Sequence, residues 1–382
     1  MKIVLIRVLC ALAVLSASAY AQTAPSQQYI EIRDLSGRMV TVPKNPKRIV
    51  LTSARQIYWL SMIRNNPFKN VVGMDGTWWK YDSHFYNVLS KKFPEAKNIP
   101  NLGNGQNTDF NVEMFIKLNP DIVLMSSYHE DTIKTQNMVK KLAKFNIPVV
   151  FLDSSTHRYL SNIQSLRVLG KIFDKTHHTE KLEDFILTNL NMVFKRVGAT
   201  KTMLNRPTAI MQLSPGYSAS CCYVVGRDGF GYLMEDAGAE NWGGKSFPAG
   251  GQMNIEQIFV SDFDKVLMTG GAWATARSEN VGKFLELGYQ ANKQDLKKSF
   301  DHLKKRKYWR DLKSVQQGDM YGVWHQFAST PYAFLSTIMM AKWFHPDKFS
   351  DIDTNQILDE FHTLFMPFEM QGYLAISERE VQ

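Results

Sequence analysis

The chain has 382 residues, of which 44% are hydrophobic and 21% charged, and its formal net charge is +9. This length can bury two cores of ordinary domain size, and the composition is that of a soluble globular protein, which excludes a disordered or a multispanning membrane chain. The mild positive excess favours an anionic ligand; the densest basic run, Lys297 to Arg310, is typical of a solvated helix face and does not indicate nucleic acid.

The first 21 residues predict a secretory signal peptide. Lys2 and Arg7 flank an apolar run from Val8 to Leu15, and Ala19-Tyr20-Ala21 closes it in the small-x-small pattern that precedes cleavage. The run is too short to span a bilayer, so a membrane anchor is the less favoured alternative. Cleavage after Ala21 would give an exported chain, and loss of the two basic residues would lower its net charge to +7.

The next segments predict alternating strands and helices. Residues 28–47 suggest a hairpin around Ser36-Gly37, and Arg48 to Leu51 suggests a first buried strand followed by a helix. Another strand is predicted at Ile147 to Leu152. From Leu182 to Val197, apolar residues recur at helical spacing, with acidic residues early and basic residues late, so we predict a long helix that Gly198 ends.

One phrase occurs twice and organises these elements. Asn111 and Glu113 begin an apolar helical pattern that leads through Asp121 into a buried strand, and Asn254 and Glu256 begin the same pattern 143 residues later. Asn is a favourable N-cap, and Glu two places on lies at the positive end of the helix dipole.

A second pair of phrases, Val71 to Gly76 and Val224 to Gly229, precedes these copies and suggests a strand followed by a glycine turn. The sequence therefore predicts an α/β chain of two Rossmann-like lobes. We place the N-terminal lobe at 22–175, the interdomain helix at 176–200 and the C-terminal lobe at 201–382.

Motifs for enzyme chemistry are missing from the sequence. There is no Gly-x-Ser-x-Gly and no His-Glu-x-x-His, so we expect no enzyme activity, and a secreted enzyme is the less favoured alternative. His84, His129 and His325 have no metal-motif spacing, and we predict no resident metal. Cys221 and Cys222 are the only cysteines after the signal peptide, and either a bridge between neighbours or two unpaired thiols would fit the sequence.

The order of several phrases resembles the substrate-binding proteins of ABC importers for ferric siderophores, haem and cobalamin. These phrases are Arg48-Ile49-Val50, Asn119 to Val123, Gly238 to Asn241, and Trp309 to Tyr321, and the resemblance covers nearly all of the mature chain. It implies a periplasmic, monomeric protein with two lobes joined by one rigid helix and a ligand cleft between them. It also implies that Glu113 and Glu256 dock on an ABC permease dimer in the inner membrane.

The resemblance and the residue types together give a ligand and a candidate site. The favoured ligand is a ferric siderophore, with haem, cobalamin, a metal–amino-acid complex such as one of nickel, or an oxyanion such as molybdate as alternatives; no separate cofactor is expected. Aromatic rings suit a flat ligand and arginine suits its anionic oxygens. The candidate cleft residues are Arg55, Tyr58, Trp78, Trp79, Tyr81, Tyr128, His129, Tyr217, Trp242, Trp273, Arg277, Trp324, His325 and Tyr332. Trp78-Trp79 and Trp324 to Phe327 depart from the usual family phrases and leave the ligand open.

Overall fold

In a computed structural model of the chain, the described residues are 27–103, 111–127, 130–152, 159–198, 206–216, 222–273 and 283–382. The strands are β1 (Tyr29–Arg33), β2 (Met39–Pro43), β3 (Ile49–Leu51), β4 (Val71–Met74), β5 (Ile122–Ser126), β6 (Val149–Leu152), β7 (Thr208–Gln212), β8 (Tyr223–Val224), β9 (Glu240–Asn241), β10 (Gly251–Gln252), β11 (Lys265–Gly270), β12 (Met320–Trp324) and β13 (Ala375–Ser377).

The helices are α1 (Gln56–Ile63), α2 (Trp78–Tyr81), α3 (Ser83–Lys92), α4 (Val112–Leu118), α5 (Ile133–Ala143), α6 (Tyr159–Ile172), α7 (Thr176–Gly198), α8 (Phe230–Asp236), α9 (Trp242–Ser246), α10 (Ile255–Phe259), α11 (Lys293–Lys304), α12 (Lys313–Gln316), α13 (Ala333–Phe344) and α14 (Thr354–Phe365). Among the residues described, none of these helices combines the length and the apolar character that crossing a membrane requires.

The first lobe is built on a parallel sheet in the order β4-β3-β5-β6. Ile49 pairs with Ile122, and Val123 pairs with Val149. Strands β3 and β6 are buried throughout, which explains why they consist of apolar, mostly β-branched residues without alternation. The predicted hairpin is present as the antiparallel pair β1–β2, and it is fastened to this lobe by the backbone bond from Leu35 N–H to the Phe151 carbonyl, 3.2 Å long.

The second lobe has a mixed sheet in the order β10-β8-β7-β11-β12-β13, with β9 beside β7. Strands β7, β11 and β12 are parallel, whereas β8, β10 and β13 run antiparallel to their neighbours. The expected equivalence of Val71 to Gly76 and Val224 to Gly229 is therefore wrong in detail. The first phrase forms a parallel strand beside β3, and the second begins with a two-residue strand antiparallel to β7.

The other repeat is confirmed in both copies. The Asn111 side chain accepts from Met114 N–H at the start of α4, and the Asn254 side chain accepts from Gln257 N–H at the start of α10. Each helix is followed by a buried central strand, β5 or β11. The spacing in the sequence thus predicted two structurally equivalent helix–strand units.

The two lobes are joined by the long helix α7. It has 23 residues, which corresponds to about 35 Å. Its buried side chains include Leu182, Ile186 and Leu190, and it packs against α6 of the first lobe and α13 of the second. His178 Nε2 lies 2.7 Å from the Met62 carbonyl oxygen, and the Arg196 guanidinium donates to Asp351 at the other end, 2.8 Å from Oδ2. The helix is therefore anchored in both lobes.

Candidate functional site

A pocket lies at the carboxyl edge of the first lobe's sheet, where ligands of open α/β folds bind. The cavity that it encloses is narrow, about 20 Å³, and about 370 Å³ is empty when the adjoining open solvent is included. Residues that follow β3 and β4 form most of its wall, and one residue that follows β12 completes it from the second lobe. The lining residues are Ser53, Ala54, Arg55, Tyr58, Asp75, Thr77, Trp78, Tyr81, Asp82, Phe85 and Gln326.

Arg55 is the cationic group of this pocket. It is half-buried between β3 and α1, and its Nε donates to Gln326 Oε1 across the lobes, at 3.2 Å. Its guanidinium also lies close enough to His325 to help lower the pKa of that imidazole. A cation placed here can bind an anionic oxygen with little competition from bulk water.

A buried carboxyl, Asp82, forms the floor beside Tyr58. The Tyr58 hydroxyl donates to Asp82 Oδ2 at 2.7 Å, and Phe85 N–H donates to Oδ1 at 3.2 Å, so Asp82 caps α3. Burial raises the pKa of Asp82 to about 6, although these two bonds favour the ionised form. The same burial and the nearby carboxyl raise the pKa of Tyr58 well above its usual range, so its hydroxyl stays protonated.

The second carboxyl of the pocket, Asp75, has a structural role. Oδ1 accepts from Thr77 N–H at 2.8 Å and from the Thr77 hydroxyl at 2.6 Å, while Oδ2 accepts from Ala54 N–H at 3.3 Å. These bonds fasten the loop after β4 to the loop after β3.

The second lobe contributes a neutral histidine next to the pocket. His325 Nδ1 lies 3.1 Å from Thr269 Oγ1, and the ring packs edge-on against Trp273 at a centroid distance of 5.7 Å. Burial, together with the charge of Arg55, lowers the pKa of His325 to about 4. His325 also lines a neighbouring cleft on the second lobe, walled by Tyr223, Phe230 and Ser329 among others.

Hydrogen bonds join the lobes directly around the pocket. Ser83 donates to the Ala272 carbonyl through its N–H at 2.8 Å and its hydroxyl at 2.9 Å. Gln326 Nε2 donates to the Tyr81 carbonyl at 3.3 Å. Behind these bonds, Tyr58 stacks on Phe85 at 4.2 Å and packs edge-on against Trp324 at 5.5 Å. The lobes therefore share an aromatic core next to the pocket.

The structure brings some of the sequence-predicted residues to this pocket. Arg55, Tyr58, Trp78 and Tyr81 line it, and His325 lies next to it. Trp324 and Tyr332 are fully buried in the aromatic core between the lobes and do not line the pocket. Trp273 is buried behind His325.

Two tryptophans of the candidate set lie elsewhere, and four candidates are not described. Trp79 is 43% exposed and does not line the pocket. Trp242 follows β9, which pairs with the first residues of β7, so it lies at the opposite edge of the sheet and packs against Phe263 at 5.3 Å. Tyr128, His129, Tyr217 and Arg277 lie outside the described residues, and their role stays a prediction.

Seven pocket residues were not selected from the sequence, and they are Ser53, Ala54, Asp75, Thr77, Asp82, Phe85 and Gln326. Asp75 follows the strand pattern Val71 to Met74 directly, which is where a parallel sheet presents polar side chains. Gln326 lies inside the phrase Trp324 to Phe327 that departs from the family pattern. For Asp82, the only indication in the sequence is its position before a helix, because its burial depends on the packing of Tyr58.

The repeated glutamates lie on the surface at the starts of α4 and α10. Glu113 is exposed, and its Oε1 lies 3.7 Å from Lys141 Nζ. Glu256 is also exposed and has beside it Phe259 and Val260, which are 44% and 86% exposed. Each carboxylate is available to a partner, but in different surroundings.

The described residues contain no group of three or more His, Cys, Asp or Glu placed to hold a metal ion. Cys222 is fully buried and disulfide-bonded, and the other two cysteines of the sequence, Cys10 and Cys221, lie outside the described residues. Cys222 does not line the pocket.

Two α/β lobes, one linking helix and a pocket between them form the architecture of a solute-binding protein. The periplasmic binding protein family model matches residues 49–324, and the chain belongs to this family, whose members serve as the solute receptors of ABC importers.

Three relatives show the range of similarity. The molybdate-binding protein MolA of Haemophilus influenzae is 22% identical, over 96% of this chain and 97% of its own length. The petrobactin-binding protein YclQ of Bacillus subtilis is 22% identical, over 72% of this chain and 80% of its own. The crystal structure of the TroA-like periplasmic binding protein FepB from Veillonella parvula has a TM-score of 0.79 at 22% identity, covering 91% of this chain and 99% of that one.

Proposed function

We propose that this chain captures an anionic metal complex in the pocket at Arg55 and delivers it to an ABC permease. The observation that carries the proposal is the placement of one guanidinium, half-buried, in a pocket that the rings of Tyr58, Trp78 and Tyr81 also line. A guanidinium binds anionic oxygens in a planar fork, and aromatic rings bind the apolar body of a chelate. Of the complexes with this chemistry, we favour a ferric chelate of the siderophore type.

The carboxyls of the pocket are compatible with an anionic ligand. Asp75 accepts three hydrogen bonds from backbone and threonine donors, and Asp82 accepts two. Their oxygens are directed to the protein's own donors, while Arg55 faces the neutral groups Gln326 and His325 of the second lobe. An anion arriving between the lobes would meet this cation and these neutral groups, and it would also lie near the carboxyls of Asp75 and Asp82.

A second candidate ligand is a metal oxyanion such as molybdate. The relative that binds molybdate by name matches this chain over 96% of its length, whereas the relative that binds petrobactin matches over 72%. An oxyanion would also bind to Arg55, because it presents several oxygens to one guanidinium. Both candidate ligands would bind Arg55 through anionic oxygens. They differ in how much of the aromatic surface of the pocket they would contact.

The ligand can be identified on protein purified from its own host without denaturation. Elemental mass spectrometry would measure iron, molybdenum, nickel and cobalt per chain, and an absorption spectrum would show a charge-transfer band for a ferric catecholate or hydroxamate. Iron with such a band supports the siderophore class, and molybdenum without a visible band supports the oxyanion. Haem or cobalamin would give its own spectrum and overturn the first choice.

Binding to the pocket can then be tested by tryptophan fluorescence titration. The probes are a ferric catecholate, a ferric hydroxamate, haemin, cobalamin and molybdate. Arg55→Ala should weaken the binding of the active probe about ten- to hundredfold, because it removes a charge-assisted contact. Arg310→Ala, an exposed arginine paired with Asp311 at 3.3 Å, is the matched control and should bind as wild type. Equal effects of the two variants would mean that the pocket is misplaced.

The delivery step rests on the two glutamates. We propose that Glu113 and Glu256 contact the permease, one from each lobe, and that the receptor acts as a monomer. We further propose cleavage after Ala21 and lobe boundaries at 22–175 and 201–382, with α7 as the linking element. Intact-mass analysis of the exported protein would test the cleavage site.

A further inference from the structure

We propose that the Gln326 carboxamide is an internal competitor for Arg55, which a ligand must displace before it can use the whole guanidinium. The proposal rests on the proposed function, since it concerns how strongly the same pocket holds its ligand. Gln326 follows β12 of the second lobe, yet it lines a pocket otherwise formed by the first lobe. It is 3% exposed.

The contact geometry places an amide oxygen where a ligand oxygen would bind. Gln326 Oε1 accepts from Arg55 Nε at 3.2 Å, and Gln326 Nε2 donates to the Tyr81 carbonyl at 3.3 Å. The backbone behind it is fixed, because the Thr330 hydroxyl donates to the Gln326 carbonyl at 2.9 Å. The side chain is thus held across the pocket by two bonds to the first lobe and supported by one in its own.

Neutrality of the carboxamide allows an anion to displace it. A hydrogen bond from arginine to an anionic oxygen is roughly twice as strong as one to a neutral oxygen. An anionic ligand therefore gains free energy when it displaces Gln326 from Arg55. The competition lowers the apparent affinity of any ligand in proportion to the fraction of pockets in which Gln326 occupies Arg55, so it sets how strongly the pocket binds.

Two substitutions at position 326 separate competition from other roles. Gln326→Leu removes the competing oxygen, and Gln326→Glu makes it anionic; neither variant can donate to the Tyr81 carbonyl, so their difference reports on Arg55. Relative to wild type, Gln326→Leu should tighten binding of the active anionic probe roughly two- to tenfold, and Gln326→Glu should weaken it about ten- to hundredfold. Isothermal titration with molybdate and with a ferric catecholate measures both.

A matched control is available at another glutamine between the lobes. Asn87 Nδ2 donates to Gln290 Oε1 at 3.1 Å, away from the pocket and exposed. Gln290→Leu and Gln290→Glu should leave the affinity for both probes unchanged. If Gln326→Leu weakens binding while Gln290→Leu does not, Gln326 contacts the ligand instead, and the competition proposal is overturned.

A second measurement needs no ligand. In the ligand-free protein, a double-mutant cycle of Gln326→Glu with Arg55→Gln should show that the new carboxylate raises the melting temperature only when Arg55 is present. No coupling between positions 55 and 326 overturns the proposal. If no probe binds any variant, the proposed ligand class is wrong. The double-mutant cycle then tests by itself whether Gln326 interacts with Arg55.

Discussion

The two lobes share an α/β architecture but contribute unequally to the pocket. The first lobe has a parallel four-stranded sheet and supplies ten of the eleven residues around the pocket; the second has a mixed sheet and supplies Gln326. The second lobe's own large aromatic candidates, Trp324 and Tyr332, lie in the core between the lobes. In the described part of the chain, the first lobe therefore supplies most of the pocket wall, and the second lobe completes it with Gln326.

The helices α4 and α10, which carry the glutamates proposed to contact the permease, also differ. Lys117 occupies the position in the first lobe that Val260 occupies in the second, 143 residues on, and Lys141 approaches Glu113 as well. Glu113 is thus flanked by cations, whereas Glu256 is flanked by exposed apolar residues. The two helices are similar in sequence but present different surfaces. A partner that contacts both would meet charged side chains around Glu113 and apolar side chains around Glu256.

The largest expected effect tests this inequality in transport. Glu113→Ala combined with Glu256→Ala should reduce ligand uptake in cells by more than about a hundredfold, because two charged interface contacts are lost, while the purified protein binds ligand normally. Of the single variants, Glu256→Ala should be the more severe, since Lys141 already attracts Glu113. Unaltered uptake by the double variant would contradict docking through these residues.

The next prediction tests the assignment of Trp324 to the core rather than the cleft. Trp324→Ala should lower the free energy of unfolding of the ligand-free protein by about 3–5 kcal/mol, because a fully buried indole leaves a cavity. Trp79→Ala, on the exposed side of the first lobe, should change it by less than about 0.5 kcal/mol. Urea denaturation measures the free energy of unfolding of both variants. Similar values would indicate that Trp324 lines the ligand cleft and does not belong to the core.

A third prediction concerns the pH dependence of stability, to which buried groups of the two lobes should contribute with opposite sign. The pKa of His325 and the pKa of His362 are both lowered to about 4 by burial, so the stability they contribute is present above pH 6.5 and is lost as pH falls towards 4. The pKa of Asp82 is raised to about 6, so its ionised form is unfavourable in the folded state, and stability is gained as pH falls through 6.

As pH falls from 6.5 to 4, the two histidines lower the stability and the one aspartate raises it. We therefore expect a net fall in the free energy of unfolding. Each pKa unit corresponds to about 1.4 kcal/mol, so a pKa that moves from 6.5 to about 4, or from 3.8 to about 6, contributes on the order of 3 kcal/mol. His362→Phe should flatten the fall and Asp82→Asn should steepen it, as measured by denaturation at several pH values. The same slope in both variants would show that other groups control it.

The smallest expected effect concerns movement between the lobes. Because α7 is anchored at both ends and one hydrophobic core runs through both lobes, ligand binding should change the radius of gyration by less than about 1 Å. Solution scattering with and without ligand measures it. A change of several ångströms would mean that the aromatic contacts between the lobes separate when the pocket opens.

The sequence by itself determined the α/β class, the two lobes and the long linking helix. Periodic patterns such as Leu182 to Val197, and N-caps such as Asn111 and Asn254, depend on local hydrogen bonding and on one buried face, which neighbouring residues specify. The same local rules predicted the hairpin at 28–47. The family resemblance added the class of function.

Tertiary structure alone decided which side chains meet in the pocket. Residue type could not separate Trp78, which lines the pocket, from Trp324, which is core, because an aromatic ring suits both environments equally. The direction of β8 was likewise set by its pairing with β7 and β10 rather than by its own residues. Gln326 acquires its role only because β12 of one lobe ends beside Arg55 of the other, 271 residues apart in the chain.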